Sequence, residues 1–196
     1  MTPFTILTAI AAPLIRDNID TDAIIPSREM KSIGKTGLAD GLFAGWRYTA
    51  IGSREPDPSF ILNDPRYAGA QILLAGANVG CGSSREHAVW ALAEYGFRAI
   101  VAASFNPIFR GNCVRNGIVP VEIDAMLIDA DGPITIDLPR LTLTSASGRD
   151  IAFAIDAEAK AMLIGGLDAI DMTLTRAAEI ARFREADRNR RPWAYL

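Results

Sequence analysis

Gln71-Ile72-Leu73-Leu74-Ala75, then the loop Gly80-Cys81-Gly82-Ser83-Ser84-Arg85-Glu86-His87-Ala88, then Ala99-Ile100-Val101-Ala102-Ala103 form the stretch that decides the fold. The first and last pieces are short apolar runs without polar alternation, as strands buried on both faces are. Between them Ala88, Leu92 and Tyr95 fall on one helical face, with Gly96 placed to cap its end. The pattern then repeats: a helix is predicted through Phe109 to Arg115, with Asn116-Gly117 as its stop and Ile118-Val119-Pro120-Val121 as the next strand. Strand, helix, strand, helix, strand is the signature of an α/β layer.

Upstream, Phe4-Thr5-Ile6-Leu7-Thr8-Ala9-Ile10 alternates as a strand and leads into the polar segment Arg16 to Asp22. Residues 32–69 are rich in Gly, Pro, Ser and Asp and read as a long loop region. Downstream, Ile134 to Leu138, Leu141 to Thr144 and Ile151 to Ile155 alternate with turn signals between them, as antiparallel strands do. Asp156 to Leu163 and Thr173 to Arg184 read as two closing helices, so that about 173–196 forms a helical tail of one domain spanning 1–196.

The 49% hydrophobic content fits a folded domain with a full core. With 20 basic and 23 acidic residues the net charge is -3, which gives no bias toward nucleic acid. No apolar segment approaches bilayer length, and Met1-Thr2-Pro3-Phe4 lacks the opening of a signal peptide, so the expected compartment is the cytoplasm. Two cysteines, Cys81 and Cys113, and the single His87 are too few soft ligands for a closed zinc or iron–sulfur site.

The chemistry concentrates at residues 80–88. Gly80 and Gly82 permit a sharp turn and close approach to a ligand, and Ser83-x-x-Glu86 is a capping-box pattern predicting a helix start at Ser84. Hydroxyls, a guanidinium and free N–H groups thus converge on a point suited to an anion. Capping alone accounts for Ser83 as well as catalysis does; without a histidine base it suits proton abstraction better than acyl transfer. Arg85 is placed either to pair with Glu86 or Glu94 or to fork onto a carboxylate. His87, inside the predicted helix, reads as a structural histidine, and Cys81 lacks a nucleophile-elbow context. Asp17, Asp20 and Asp22 lack the rest of a calcium loop, and no phosphate-loop pattern occurs at 80–88.

Asp20-Thr21-Asp22-Ala23-Ile24-Ile25-Pro26, the loop at 80–88 and Gly165-Gly166-Leu167-Asp168-Ala169-Ile170 closely resemble the small subunits of 3-isopropylmalate dehydratase. Leu42 to Tyr48, and Ser104 to Phe109 followed by Asn112, extend the resemblance over nearly the whole chain. It implies the swivelling β/β/α domain of the aconitase superfamily, with mixed sheet layers and flanking helices. It further implies a separate large subunit carrying a [4Fe-4S] cluster, this chain binding no cofactor itself, and a dicarboxylate substrate. The implied reaction, a step of leucine biosynthesis, interconverts 2- and 3-isopropylmalate through 2-isopropylmaleate by loss and return of water.

Carried over by position, Ser83 matches the alkoxide base, and Ser84 and Arg85 match substrate-carboxylate contacts. Asp22 matches an aspartate that orders the site, and Lys35 stands where the family has a substrate-binding arginine. A lysine keeps the charge and loses the bidentate fork. Ser27-Arg28-Glu29-Met30-Lys31, the position of a loop that influences substrate side-chain choice, departs from the usual family text. Lys35 and that loop keep open a related hydro-lyase for 2-methylmalate, homoaconitate or a dimethylmaleate-type acid. A noncatalytic partner module is the remaining alternative.

Overall fold

The computed structural model describes residues 1–30 and 34–195. Lys31, at the end of the expected specificity loop, and the first two residues of the long loop region therefore lie outside the described residues.

Two four-stranded sheets and a layer of helices make up the fold. The chain enters through β1 (Ile6–Ala9), and β2 (Ala11–Leu14) follows after one residue. A short helix α1 (Thr21–Ile24) and a second, α2 (Ala44–Arg47), precede β3 (Ile72–Ala75). Then come α3 (His87–Tyr95), β4 (Ala99–Ala102), α4 (Pro107–Arg115) and β5 (Val119–Glu122). Strands β6 (Ile134–Asp137), β7 (Thr142–Thr144) and β8 (Asp150–Ala152) follow, and α5 (Ala157–Gly165), α6 (Ala169–Leu174) and α7 (Ala177–Arg190) close the chain.

The first sheet, β2-β3-β4-β5, is wholly parallel, with Leu73 opposite both Ala12 and Ile100, and Ile100 opposite Pro120. Both of its prolines, Pro13 and Pro120, lie in edge strands, where a missing N–H costs no ladder bond. Its alternate residues serve two cores. Leu73, Ala75, Ile100 and Ala102 pack with α3, α4 and the 38–62 region, whereas Ile72, Leu74, Ala99 and Val101 pack against Ile134, Ile136 and Leu143 of the second sheet. Burial on both faces is why these strands read as unbroken apolar runs. The second sheet, β1-β6-β7-β8, is antiparallel. Sheet, sheet, helices is the β/β/α layering expected.

Several boundaries moved. The strand predicted over 4–10 is β1 only; after Ile10 the chain leaves the antiparallel sheet and joins the parallel one as β2, which Pro13 and the small Ala11-Ala12 pair had hidden. The helix predicted from Ser84 begins at His87, and the expected capping box does not form. Glu86 makes no side-chain cap bond and is held by Asn116, and the Ser83 carbonyl is held by Thr21. The second closing helix is broken in two. Asp168 caps α6 by exchanging hydrogen bonds with Asp171, and α7 starts afresh after Arg176.

The 34–69 part of the long loop region contains α2 and three 3-10 turns, and Leu38, Leu42, Phe43, Phe60 and Leu62 are buried in the helix-side core. Glu94 of α3 fastens it by accepting the backbone N–H groups of Gly37, Leu38 and Ala39 at 2.5 to 2.9 Å, bonds that hold its carboxyl below the usual range against the opposing effect of burial. Among the described residues no helix is long and apolar enough to cross a membrane.

Candidate active site

The loop after β3 is stitched on both sides. Gly80 N donates to Ile19 O at 2.7 Å, Thr21 N donates to Cys81 O at 2.9 Å, and Thr21 Oγ1 donates to Ser83 O at 2.9 Å. On the other side Val79 N donates to Ser104 O at 3.1 Å and Asn106 N to Val79 O at 2.9 Å. Three separate sequence segments, 19–22, 79–85 and 104–112, thereby meet at the carboxyl end of the parallel sheet, the usual end for ligands in open α/β sheets.

Gly80 is required twice over. Its φ is +76°, and a Cβ there would lie 2.0 Å from Phe109 Cγ, a ring only 2% exposed. Phe109 is set by α4, whose N-cap Asn106 accepts from Ile108 N and Phe109 N, with Pro107 as the first helical residue. The turn that carries the serines is therefore braced by a buried ring.

Thr21, Ser83, Ser84, Arg85, Asn106 and Asn112 line a small cleft there. Ser83 and Ser84 are exposed, whereas Thr21 and Asn112 are buried beneath them. Arg85 Nη1 donates to Asp22 Oδ1, so the guanidinium pairs with Asp22, across the motif boundary, rather than with Glu86 or Glu94. The ion pair aims one edge of the guanidinium and leaves further N–H groups for an anion. A hydroxyl pair beside an oriented guanidinium can bind a carboxylate and take a proton from the carbon next to it.

The chain matches the model of the aconitase C-terminal domain over residues 1–126. It is 54% identical to the 3-isopropylmalate dehydratase small subunit of Cupriavidus necator, over 100% of this chain and 99% of that one. The chain belongs to the 3-isopropylmalate dehydratase small-subunit family. The small subunit of Magnetococcus marinus is 48% identical with both chains covered in full. In three dimensions, the crystal structure titled 3-isopropylmalate dehydratase from Methanocaldococcus jannaschii superposes with a TM-score of 0.68 at 25% identity, over 90% of this chain and 98% of that one.

Of the small-subunit residues expected from sequence, Asp22, Ser83, Ser84 and Arg85 are brought together. Lys35 is not among the residues lining this cleft. Its amine sits 3.3 Å from Asn116 Oδ1 and 5.5 Å from the Trp90 ring centre, beside Thr36, Glu94 and Arg115. In the expected specificity loop, Ser27 and Arg28 are exposed, but Glu29 is buried and paired with Arg54 at 2.6 Å, and Met30 packs on the helix-side core. Glu29 is thus placed as a structural anchor.

Sequence reading passed over three residues here. Thr21 sits between two aspartates, Asn112 lies inside a predicted helix, and Asn116 reads as a helix stop. His87 packs against Trp90 with ring centres 4.6 Å apart and the rings tilted by 51°. Burial pushes the Cys113 thiol far up, so it stays protonated, and Cys81 is half-buried. Among the described residues no three His, Cys, Asp or Glu side chains converge as metal ligands.

Proposed function

We propose that this chain is the small subunit of a 3-isopropylmalate dehydratase, a cytoplasmic hydro-lyase of leucine biosynthesis, and that it supplies the base and the carboxylate-binding half of the active site. The observation that carries the reading is the cluster in which Ser83 and Ser84 stand beside Arg85, itself paired with Asp22, in a chain matched end to end by relatives named as that subunit. A small subunit implies a large one, to which we assign the cluster and the rest of the substrate contacts.

In this reading Arg85 and the Ser84 hydroxyl hold a substrate carboxylate, and Asp22 keeps the guanidinium pointed at it. Ser83 Oγ, as an alkoxide beside the guanidinium, takes the proton from the adjacent carbon of 2- or 3-isopropylmalate. The electron pair left behind spreads onto the held carboxylate and becomes the double bond of 2-isopropylmaleate as hydroxide leaves. Return of water with the opposite regiochemistry gives the other isomer. Lys35 enters only as a cation linked through Asn116 to Glu86, the neighbour of Arg85. The names of the relatives favour isopropylmalate over the other hydroxy acids.

Mixing the purified chain with its large subunit tests the proposal. Neither component alone is expected to convert 3-isopropylmalate, and the mixture should do so, read by the ultraviolet absorbance of the unsaturated intermediate. Turnover by this chain alone overturns the two-subunit reading.

The carbonyl of Ser83 is fixed by Thr21, which is only 1% exposed. Thr21→Val keeps the shape and removes the donor, so kcat of the assembled enzyme should fall about tenfold, a cost of roughly one hydrogen bond's free energy in aligning the base. Thr21→Ser retains the donor and should recover most of that loss. Equal kcat in the Val and Ser variants would show that the hydrogen bond does not position Ser83.

A further inference from the structure

We infer that Asn116 is a positioning residue for the Ser83-Ser84-Arg85 turn, acting through Glu86; the inference rests on the function proposed above. Asn116 stands just past the end of α4, and its side-chain amide has two donors and an acceptor oxygen with two lone pairs. All are used. Nδ2 donates to Glu86 Oε1 at 2.6 Å and to Asn112 O at 2.9 Å, while Oδ1 accepts from Trp90 Nε1 at 3.1 Å and Lys35 Nζ at 3.3 Å.

The partners fix the orientation of that amide. Indole and ammonium nitrogens only donate, and a carboxylate and a backbone carbonyl only accept, so exchanging oxygen and nitrogen would break all four bonds at once. Asn116 therefore presents an N–H to Glu86 in the one arrangement its neighbours allow.

Glu86 follows Arg85 directly and occupies the N-cap position of α3, where it makes no side-chain cap bond. The serine turn is thus fastened at its front by Thr21 on the Ser83 carbonyl and at its back by Asn116 on the Glu86 carboxylate. Because both serines are exposed, packing does little to hold them, and these two bonds add to the backbone bonds at Gly80 and Cys81 in setting where the Ser83 hydroxyl stands. The charged acceptor makes the Glu86 bond the stronger kind.

Asn116→Asp tests this in the complex with the large subunit. It replaces the N–H facing Glu86 with a carboxylate oxygen, so the two carboxylates repel and the turn shifts. We expect kcat to fall about 100-fold, the cost of an ångström-scale misplacement, with KM changed by less than about threefold. Adding Glu86→Gln to that variant restores a donor facing the new carboxylate, and kcat should recover about tenfold or more. A role in stability alone would not produce a kcat loss reversed by the reciprocal change.

The inference is overturned if Asn116→Asp keeps kcat within about threefold of wild type, or if Glu86→Gln does not raise it. Should Asn116→Asp fail to fold, Glu86→Ala removes the same bond from its half-exposed end. It should lose kcat by a similar factor, and wild-type turnover there overturns the inference as surely. Failure of the functional reading is separate: it shows as a wild-type complex without activity on isopropylmalate.

Discussion

Ser83→Ala, assembled with the large subunit, is expected to lose about a thousandfold or more in kcat, within the span attributed to general-base catalysis. The substitution removes the one oxygen proposed to take the carbon-bound proton. It leaves the contacts that hold the turn, since Thr21 bonds the Ser83 carbonyl, which alanine retains. The Ser83 side chain is exposed, so deleting a hydroxyl there costs little stability. The variant should therefore assemble normally, keep its thermal midpoint and bind substrate nearly as well through Ser84 and Arg85. Steady-state kinetics beside a thermal melt give the check. Turnover within tenfold of wild type would remove Ser83 as the base.

Gly80→Ala should be the most damaging change to stability at the site. An added Cβ would stand 2.0 Å from Phe109 Cγ and 2.3 Å from its Cβ, and the backbone already has φ at +76°. Overpacking and positive φ together cost about 3 kcal/mol or more. For a chain of this size that lowers the thermal midpoint by roughly 6 to 12 °C. Gly82→Ala separates the two causes. Its φ is +90° but the nearest atom would be 3.5 Å away, so only the backbone cost, about 1 kcal/mol, applies. Equal melting shifts for the two variants would show that the Phe109 ring yields and that the packing argument is wrong.

Strands β3, β4 and β5 of the parallel sheet were legible because Ile72–Ala75, Ala99–Ala102 and Val119 to Val121 are buried and apolar throughout. The end of helix α4 was legible for a local reason too: Asn116-Gly117 follows it, with Gly117 at φ +78°. The start of α3 was not. Ser83 and Glu86 have the spacing of a capping box, but a cap forms only if both side chains are unclaimed, and Glu86 is claimed by a residue at the far end of another helix. The split of the N-terminal strand was hidden likewise, since Ile10 passes between two sheets whose other strands lie more than sixty residues downstream in the sequence.

At the candidate site, residue types were readable and partners were not. A guanidinium next to two serines announced an anion site, yet Glu86 and Glu94 were the carboxylates that sequence proximity offered Arg85, and the structure pairs it with Asp22 instead. Lys35 was placed by motif position, and the fold seats it on Trp90 and Asn116. Glu29 stood in the same loop as Arg28 but turns inward to Arg54.

The sequence by itself determined what depends on neighbours along the chain: apolar periodicity, glycine turns, helix caps, and the run of motifs that marks the family. Tertiary structure alone decided the contacts across 62 residues from Thr21 to Ser83, 63 from Asp22 to Arg85 and 30 from Glu86 to Asn116. Local patterns follow from the geometry of a few adjacent dihedrals. Long-range pairs exist only after two cores have packed and brought distant backbone segments within hydrogen-bond reach, so no spacing in the sequence encodes them.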